Sequence, residues 1–392
     1  MKFKSSTPYL LLAILALAAA LRFYRIDQPF VDVFSWRQTS TAMMADNFYR
    51  HSWNIFYPEI SWDGPGPSYN GREFQTVSYL AALLYTVVGQ HDWVGRSVAA
   101  VFGVWGIFAL YQLARRVWDV ERALASAAVM ALLPGGIFIE RSFLPDPAMV
   151  SLVTTNLWLF VVYLQSDRWR YLVLAALVCT WGVLTKLPGL AIGIPMLYAL
   201  FAILHRKQQL TAKRLIPIGI TAGLVLLPVV AYYLWARHLA MNYPPYHFAG
   251  AGNWLWDDGL QEWLSQGYFL GDFAKNAYYL LWSGPTIALL LLGLILPPSQ
   301  TNSATWQQRL DLPRAPWLFH WWFLAGVVYY AIGAKQLNDN TWNFHFVNPA
   351  VAALAGQALF FLSSWAARLI RSSATHRCSD KHLISNPVMQ TY

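Results

Sequence analysis

Apolar runs of span length alternate along this chain with two kinds of connection, one short and basic, the other long, aromatic and acidic. The first run, residues 7–24, follows Lys2 and Lys4 and is long enough to cross roughly 30 Å of hydrocarbon at about 1.5 Å per helical residue. No small-residue cleavage site follows it, and the chain continues through Arg22 and Arg25 into a polar segment rich in Trp, Tyr and Pro. It therefore reads as a retained signal anchor with the N-terminus in the cytoplasm. Nine further spans are predicted at 94–114, 123–139, 147–164, 171–184, 188–204, 215–235, 277–296, 317–332 and 346–369.

Residues 25–93 are too polar and too rich in Pro and Gly to lie in the membrane throughout, and they form the first external loop. Within it, 39–49 is helical in pattern, and 76–89 is apolar but short for a crossing, as in an interfacial or re-entrant helix. With 76–89 outside the count, the inward connections carry Arg115, Arg116 and Arg122; Arg168 and Arg170; Arg206, Lys207, Lys213 and Arg214; Arg309 and Arg314; then Arg371, Arg377 and Lys381. That is the positive-inside arrangement, and counting 76–89 as a span would invert it. The opposite side receives the Asp32 loop, the 141–146 turn, Lys186, a loop over 236–276 and the stretch 335–345.

Composition supports an all-α, polytopic transmembrane bundle: 57% hydrophobic and 12% charged residues are too apolar for an ordinary soluble domain. The net charge of +9 does not indicate nucleic-acid binding, because the basic residues cluster at helix ends and form no continuous stripe. Cys179 and Cys378 cannot make a disulfide framework or a metal cluster. Without internal repeats, one membrane domain covers 1–370, and 371–392, which lack apolar periodicity, read as a disordered cytoplasmic tail.

The chemistry-bearing residues gather in the external connections. Asp32 and Arg37, in Val31-Asp32-Val33-Phe34-Ser35-Trp36-Arg37, put a carboxylate and a guanidinium at the membrane surface, suited to a general base and a phosphate clamp. The structural alternative is an interfacial anchor with Asp32 capping a helix. Glu73 precedes the interfacial helix, where it can ligate a divalent ion, accept a sugar hydroxyl, or simply complement the helix dipole. External His51, His91, His238, His247 and His345 are the partners a metal would require, and spacing ranks none of them. Asp146 lies between Pro145 and Pro147 in a tight turn, as an N-cap or a site carboxylate. Lys186, in Thr185-Lys186-Leu187-Pro188-Gly189, interrupts an apolar region as a snorkelling cation or an anion ligand, and the same two readings apply to Lys335 and His345. Tyr243, Tyr246, Trp254, Trp256 and Trp263 with Asp257, Asp258 and Glu262 suit carbohydrate recognition, although a membrane-interface aromatic belt has the same composition.

An Asp in the first external loop, a second in a Pro-Asp-Pro turn and a Thr-Lys-x-Pro-Gly turn together resemble the class C (GT-C) membrane glycosyltransferases. The branch in question contains protein O-mannosyltransferases, lipid A aminoarabinose transferases and bacterial relatives, and the likeness runs over about residues 10–204. The resemblance implies Asp32 as catalytic base, Arg37 and Lys186 as phosphate-facing cations, Glu73 near acceptor or metal, and Asp146 as the second site carboxylate. Two departures stand out: the common Asp-Glu pair close before the Arg is absent, and the Glu-Lys pair of the aminoarabinose enzymes is Glu73-Phe74 here.

The activity so implied is inverting transfer of a sugar from a polyprenyl-phosphate donor to an acceptor hydroxyl on a glycolipid, polysaccharide or protein at the outer face of the plasma membrane. Lys335 and His345 join the substrate-binding set, and a divalent ion on Glu73 is the one cofactor envisaged. A transporter or lipid flippase is the main rival, but it predicts paired broken helices in two related halves. A non-catalytic subunit of an envelope glycan complex is the second rival, and it predicts that Asp32 and Asp146 are dispensable.

Overall fold

The computed structural model describes residues 7–32, 34–64, 66–248, 254–261, 272–298 and 313–383. These form helices α1 (Thr7–Phe23), α2 (Ser35–Arg50), α3 (Thr76–Val88), α4 (Asp92–Val117), α5 (Val120–Leu132), α6 (Pro134–Glu140), α7 (Asp146–Ser166), α8 (Trp169–Thr185), α9 (Gly193–Arg206) and α10 (Ala212–Asn242). After them come α11 (Leu255–Asp258), α12 (Phe273–Leu281), α13 (Gly284–Ile295), α14 (Leu318–Asp339) and α15 (Asn348–Leu383). Among the described residues the only strand-like pairing is one antiparallel bridge, Glu59 with Tyr69.

Five helices are long and apolar enough to cross a membrane, or seven if each of two bent pairs is one span; α1, α3 and α8 are shorter apolar helices. The 13 residues of α3 rise only about 20 Å, too little to traverse roughly 30 Å of hydrocarbon. The predicted span 123–139 is two helices meeting at 65°, because Pro134 has no amide proton to donate and holds Leu133 extended at ψ 116°. The predicted span 277–296 likewise breaks by 116° between α12 and α13, where Ser283 takes a positive φ of 67°.

The core is built on α7, which is apolar around its whole circumference and therefore buried on all sides. It packs against α4, α8 and α9. Helix α10 is the opposite case, mostly exposed along its length and interrupted by Pro217 and Pro228, as suits a helix facing lipid tails.

Several of the basic connections meet in the packing. Asp119 caps α5 and pairs with Arg122 at 2.8 Å. Gln165 donates to the carbonyls of Arg116 (3.3 Å) and Pro313 (3.2 Å), and Trp118 donates to Pro316 at 2.8 Å. Asp167 receives Lys207 at 2.6 Å and Arg214 at 3.2 Å. These contacts gather four of the inward connections at one end of the bundle.

Two boundaries differ from expectation. Helix α15 runs on to Leu383, so the backbone of 371–383 is helical where a disordered tail is predicted, and 384–392 lie outside the described residues. Lys335 falls within α14 instead of a loop, beyond a non-helical Gly333. Glu262 and Trp263 lie outside the described residues.

Candidate active site

The other end of the bundle collects side chains from six separate stretches of chain. After α1 the chain turns at Asp32, whose Oδ1 accepts from the Phe34 amide (2.9 Å) and from Gln38 Nε2 (2.7 Å). Its Oδ2 lies 3.3 Å from Arg96 of α4. Gln38 also accepts from the Phe143 amide at 3.0 Å, which ties the start of α2 to the turn before α7. Asp32 is 41% exposed, and Phe34 beside it meets the Trp342 ring edge-on at 5.5 Å. The Asp32 carboxylate thus braces the turn before α2, whose N-cap is Phe34 without a side-chain cap hydrogen bond, so Asp32 does not cap the helix and stays partly open.

One turn further along, Arg37 points away from Asp32 and pairs with Glu73 in a closely buried contact. The segment carrying Glu73 is seated by its backbone. Tyr232 of α10 donates to the carbonyls of Gly71 (3.1 Å) and Glu73 (2.6 Å), and the Phe74 amide donates to Leu184 at 3.1 Å. Gly71 lets the segment sit close against α10, since a Cβ there would lie 3.1 Å from the Ala236 backbone. Burial works to raise the Glu73 carboxyl, but Arg37, Lys186 and Arg72 outweigh it and hold the group below its ordinary range.

Asp146 opens α7 without capping it. Its Oδ1 receives Lys186 Nζ at 2.7 Å, and the same ammonium donates to Asn343 Oδ1 at 2.7 Å. Asp146 Oδ2 is buried with no hydrogen-bond partner. Arg72 acts electrostatically on both pairs; burial first, then Arg37, lowers its guanidinium from the ordinary value. His247, in the loop after α10, is held below its usual range by burial and by Arg72 and Arg37, so it is neutral near pH 7. That loop is tied down by Tyr69, whose amide donates to Pro244 at 2.9 Å.

His345 sits in a separate buried group. Its Nε2 is 3.2 Å from Glu140 Oε1, and Glu140 also pairs with Arg22, which donates to the carbonyls of Ala18 and Ala131 at 3.1 Å. Trp282 Nε1 donates to Asn348 Oδ1 (2.9 Å), which turns the Asn348 amide nitrogen to His345 Nδ1 (2.8 Å) and leaves the ring proton on Nε2, facing Glu140. Gly103 leaves room for Glu140, since a Cβ would come within 2.8 Å of it. His345 thus supports the 341–347 turn that delivers Asn343 to Lys186, whereas Lys335 is half-buried beyond the α14 kink.

The residues around Glu73 do not suit a resident divalent ion. Among the described residues no three His, Cys, Asp or Glu side chains converge, and the charges facing Glu73 are those of Arg37, Lys186 and Arg72. Arg22, Gln38, Arg72, Arg96, Glu140, Asn343 and Asn348 all bear on the site and were not singled out from the sequence. The only signal for Arg22 and Glu140 was a charge at the very end of an apolar run.

Residues 75–235 match the family model for dolichyl-phosphate-mannose-protein mannosyltransferase. Among solved structures, apo ArnT from Cupriavidus metallidurans superimposes with a TM-score of 0.61 at 16% identity over 96% of this chain and 64% of that one. The chain shares the fold of ArnT, that of the class C membrane glycosyltransferases. ArnT bound to undecaprenyl phosphate gives a TM-score of 0.59 at 16% identity, covering 94% of this chain and 63% of that one. The Archaeoglobus fulgidus oligosaccharyltransferase AglB, in complex with an inhibitory peptide and a dolichol-phosphate, gives 0.55 at 16% identity, covering 100% of this chain and 53% of that one. The chain therefore spans just under two thirds of the ArnT chains and about half of the oligosaccharyltransferase. No curated protein sequence matches it. Within this class C fold, the family match takes in Asp146 and Lys186 and begins just after Glu73.

Proposed function

We propose that this chain is an integral-membrane inverting glycosyltransferase that moves a sugar from a polyprenyl phosphate to an acceptor hydroxyl, with its site facing the outside of the plasma membrane. The reading is carried by one observation: Arg37, Arg72 and Lys186 stand against two carboxylates, Glu73 and Asp146, so that among the described residues one positive charge of the three is unmatched. A phosphodiester carries the single negative charge that such a group lacks.

In the step itself, the acceptor oxygen attacks the anomeric carbon from the face opposite the phosphate. The bond from that carbon to the phosphate oxygen breaks, and the acceptor proton passes to Asp32. Asp32 suits this role because it is the most exposed of the three carboxylates and is oriented by Gln38 and Arg96. Charge growing on the departing polyprenyl phosphate is met by Arg72, Lys186 and Arg37, and no step needs a metal. An apolar groove of about 300 Å³ between α8, α9 and α10 is lined by Leu172, Cys179, Val183, Leu190 and Leu197, and Val183 and Leu190 flank Lys186 along the chain. It offers an isoprenoid tail a path that leaves its head group at the cations. A transporter is disfavoured because these charges collect at one end of the bundle.

The test is transfer of a radiolabelled sugar from polyprenyl phosphate to an envelope acceptor fraction by purified protein, comparing wild type with Asp32→Asn. The variant is expected to fold and bind donor while losing transfer by about a hundredfold or more. Equal transfer by the two proteins removes Asp32 as base, and acceptor-independent movement of the donor across vesicles favours a flippase.

A further inference from the structure

A second cavity, of about 250 Å³, opens in the first external loop between the end of α2 and the Glu59–Tyr69 bridge. It is lined by Asn47, Ser52, Asn54, Tyr57, Glu59 and Tyr69, with Phe48 at its base. None of the residues that carry the proposed transfer lines it, and no local motif marks it.

Its lining has a definite chemistry. Two carboxamides, a hydroxyl, two phenols and one carboxylate surround a space with no Lys or Arg in its wall, so a phosphate finds no counter-charge there. The polar groups are held by the fold. Asn47 donates to the Glu59 carbonyl at 2.9 Å, Asn54 Oδ1 accepts from the Phe56 amide at 3.2 Å, and the Ile60 amide donates to Ser68 at 2.9 Å. Tyr57 is braced edge-on by Tyr69 (5.1 Å) and by Trp235 (5.2 Å). Burial and the Glu59 carboxylate raise the Tyr69 phenol from its ordinary value, keeping it a donor at any physiological pH. Rigid aromatic edges with several converging amides, hydroxyls and one acid match the apolar C–H faces and dense hydroxyls of a sugar ring.

The placement gives the cavity a purpose. Arg37 near the start of α2 belongs to the cationic site, and Asn47, ten residues on along the same helix, lines the cavity. That separation is about 15 Å along the helix axis, and Tyr69 on the other wall leads directly into the Arg72–Glu73 segment. We propose that this cavity is a subsite for a neutral sugar residue of the acceptor, so that the acceptor is a glycan. Binding in the cavity stands independently of the transfer chemistry; only its assignment to the acceptor rests on that reading.

The experiment uses full-length protein in nanodiscs and saturation-transfer NMR with neutral gluco- and manno-oligosaccharides, on wild type, Glu59→Gln and Asn54→Ala. Saturation of sugar protons is expected in the wild type, with affinity falling about tenfold in each variant. In the transfer assay the same variants are expected to raise the acceptor KM and leave kcat nearly unchanged. Absence of saturation for every oligosaccharide overturns the proposal. So does binding equal in all three proteins, or displacement of the sugar by inorganic phosphate or by a Ser/Thr peptide. Oligosaccharide binding by a wild type that transfers nothing would sink the transferase reading and leave the cavity standing. Robust transfer with cavity variants unchanged in acceptor KM would do the reverse.

Discussion

Lys186 Nζ lies 2.7 Å from Asp146 Oδ1, two residues forty apart in sequence that meet in a buried pair at the mouth of the bundle. The second Asp146 oxygen is buried without a partner, and the ammonium also holds Asn343. Neutralising only one member leaves an uncompensated charge. Asp146→Asn and Lys186→Gln are each expected to lower stability by about 3 kcal/mol or more, whereas the double variant regains most of it. Transfer should stay lost in the double variant, and thermal melting beside the transfer assay checks both halves. Full additivity of the two single effects would show that the pair is not coupled.

Among the described residues, Arg72 is the cation left over when the two ion pairs are counted. Arg72→Gln is expected to weaken binding of undecaprenyl phosphate by about tenfold with little change in melting temperature, because no side-chain ion pair is broken. Tryptophan-quenching titration with the lipid phosphate measures the first quantity. A large loss of stability with unaltered affinity would give Arg72 a structural role.

Burial works to raise the Glu73 carboxyl, but Arg37, Lys186 and Arg72 together outweigh it and hold the group below its ordinary range. A depressed folded-state value binds fewer protons than the unfolded chain, so stability rises with pH across the interval between the two. The contribution is complete above the unfolded value of about 4.3 and is lost as pH falls through the lower folded one. Melting temperature should therefore be insensitive to Glu73 between pH 7 and 5, as far as that residue governs it, and fall below. Glu73→Gln is expected to be less stable at neutral pH and to show a shallower acid decline.

Transfer should persist after thorough chelation, because protein cations occupy the place around Glu73 that a metal would need. Assay before and after dialysis against a strong chelator checks this. Activity lost on chelation and restored by a single divalent ion would reinstate a metal at Glu73.

The break at Leu133–Pro134 shows where sequence reading stops. An apolar run of span length does not tell whether a proline merely kinks a helix or turns the chain by 65°, yet that turn brings Glu140 inward to Arg22 and His345. Arg37 makes the same point: it is close to Asp32 in sequence, but its helical register sends it to Glu73 while Arg96, sixty-four residues from Asp32, takes the vacant partnership.

Read by itself, the sequence was enough to establish the medium and to group the basic connections. Hydropathy over whole segments and the count of basic residues between them are sums over many positions, so they survive ignorance of any single contact. It also supplied Asp32, Arg37, Glu73, Asp146 and Lys186, since an ionisable residue beside an apolar run is conspicuous by its solvation cost. The pairings, the position of Arg72 as the unmatched charge among the described residues, and the cavity at Glu59 came from the three-dimensional packing. Each of these depends on side chains from distant segments lying within a few ångströms of one another, and local pattern does not encode that distance.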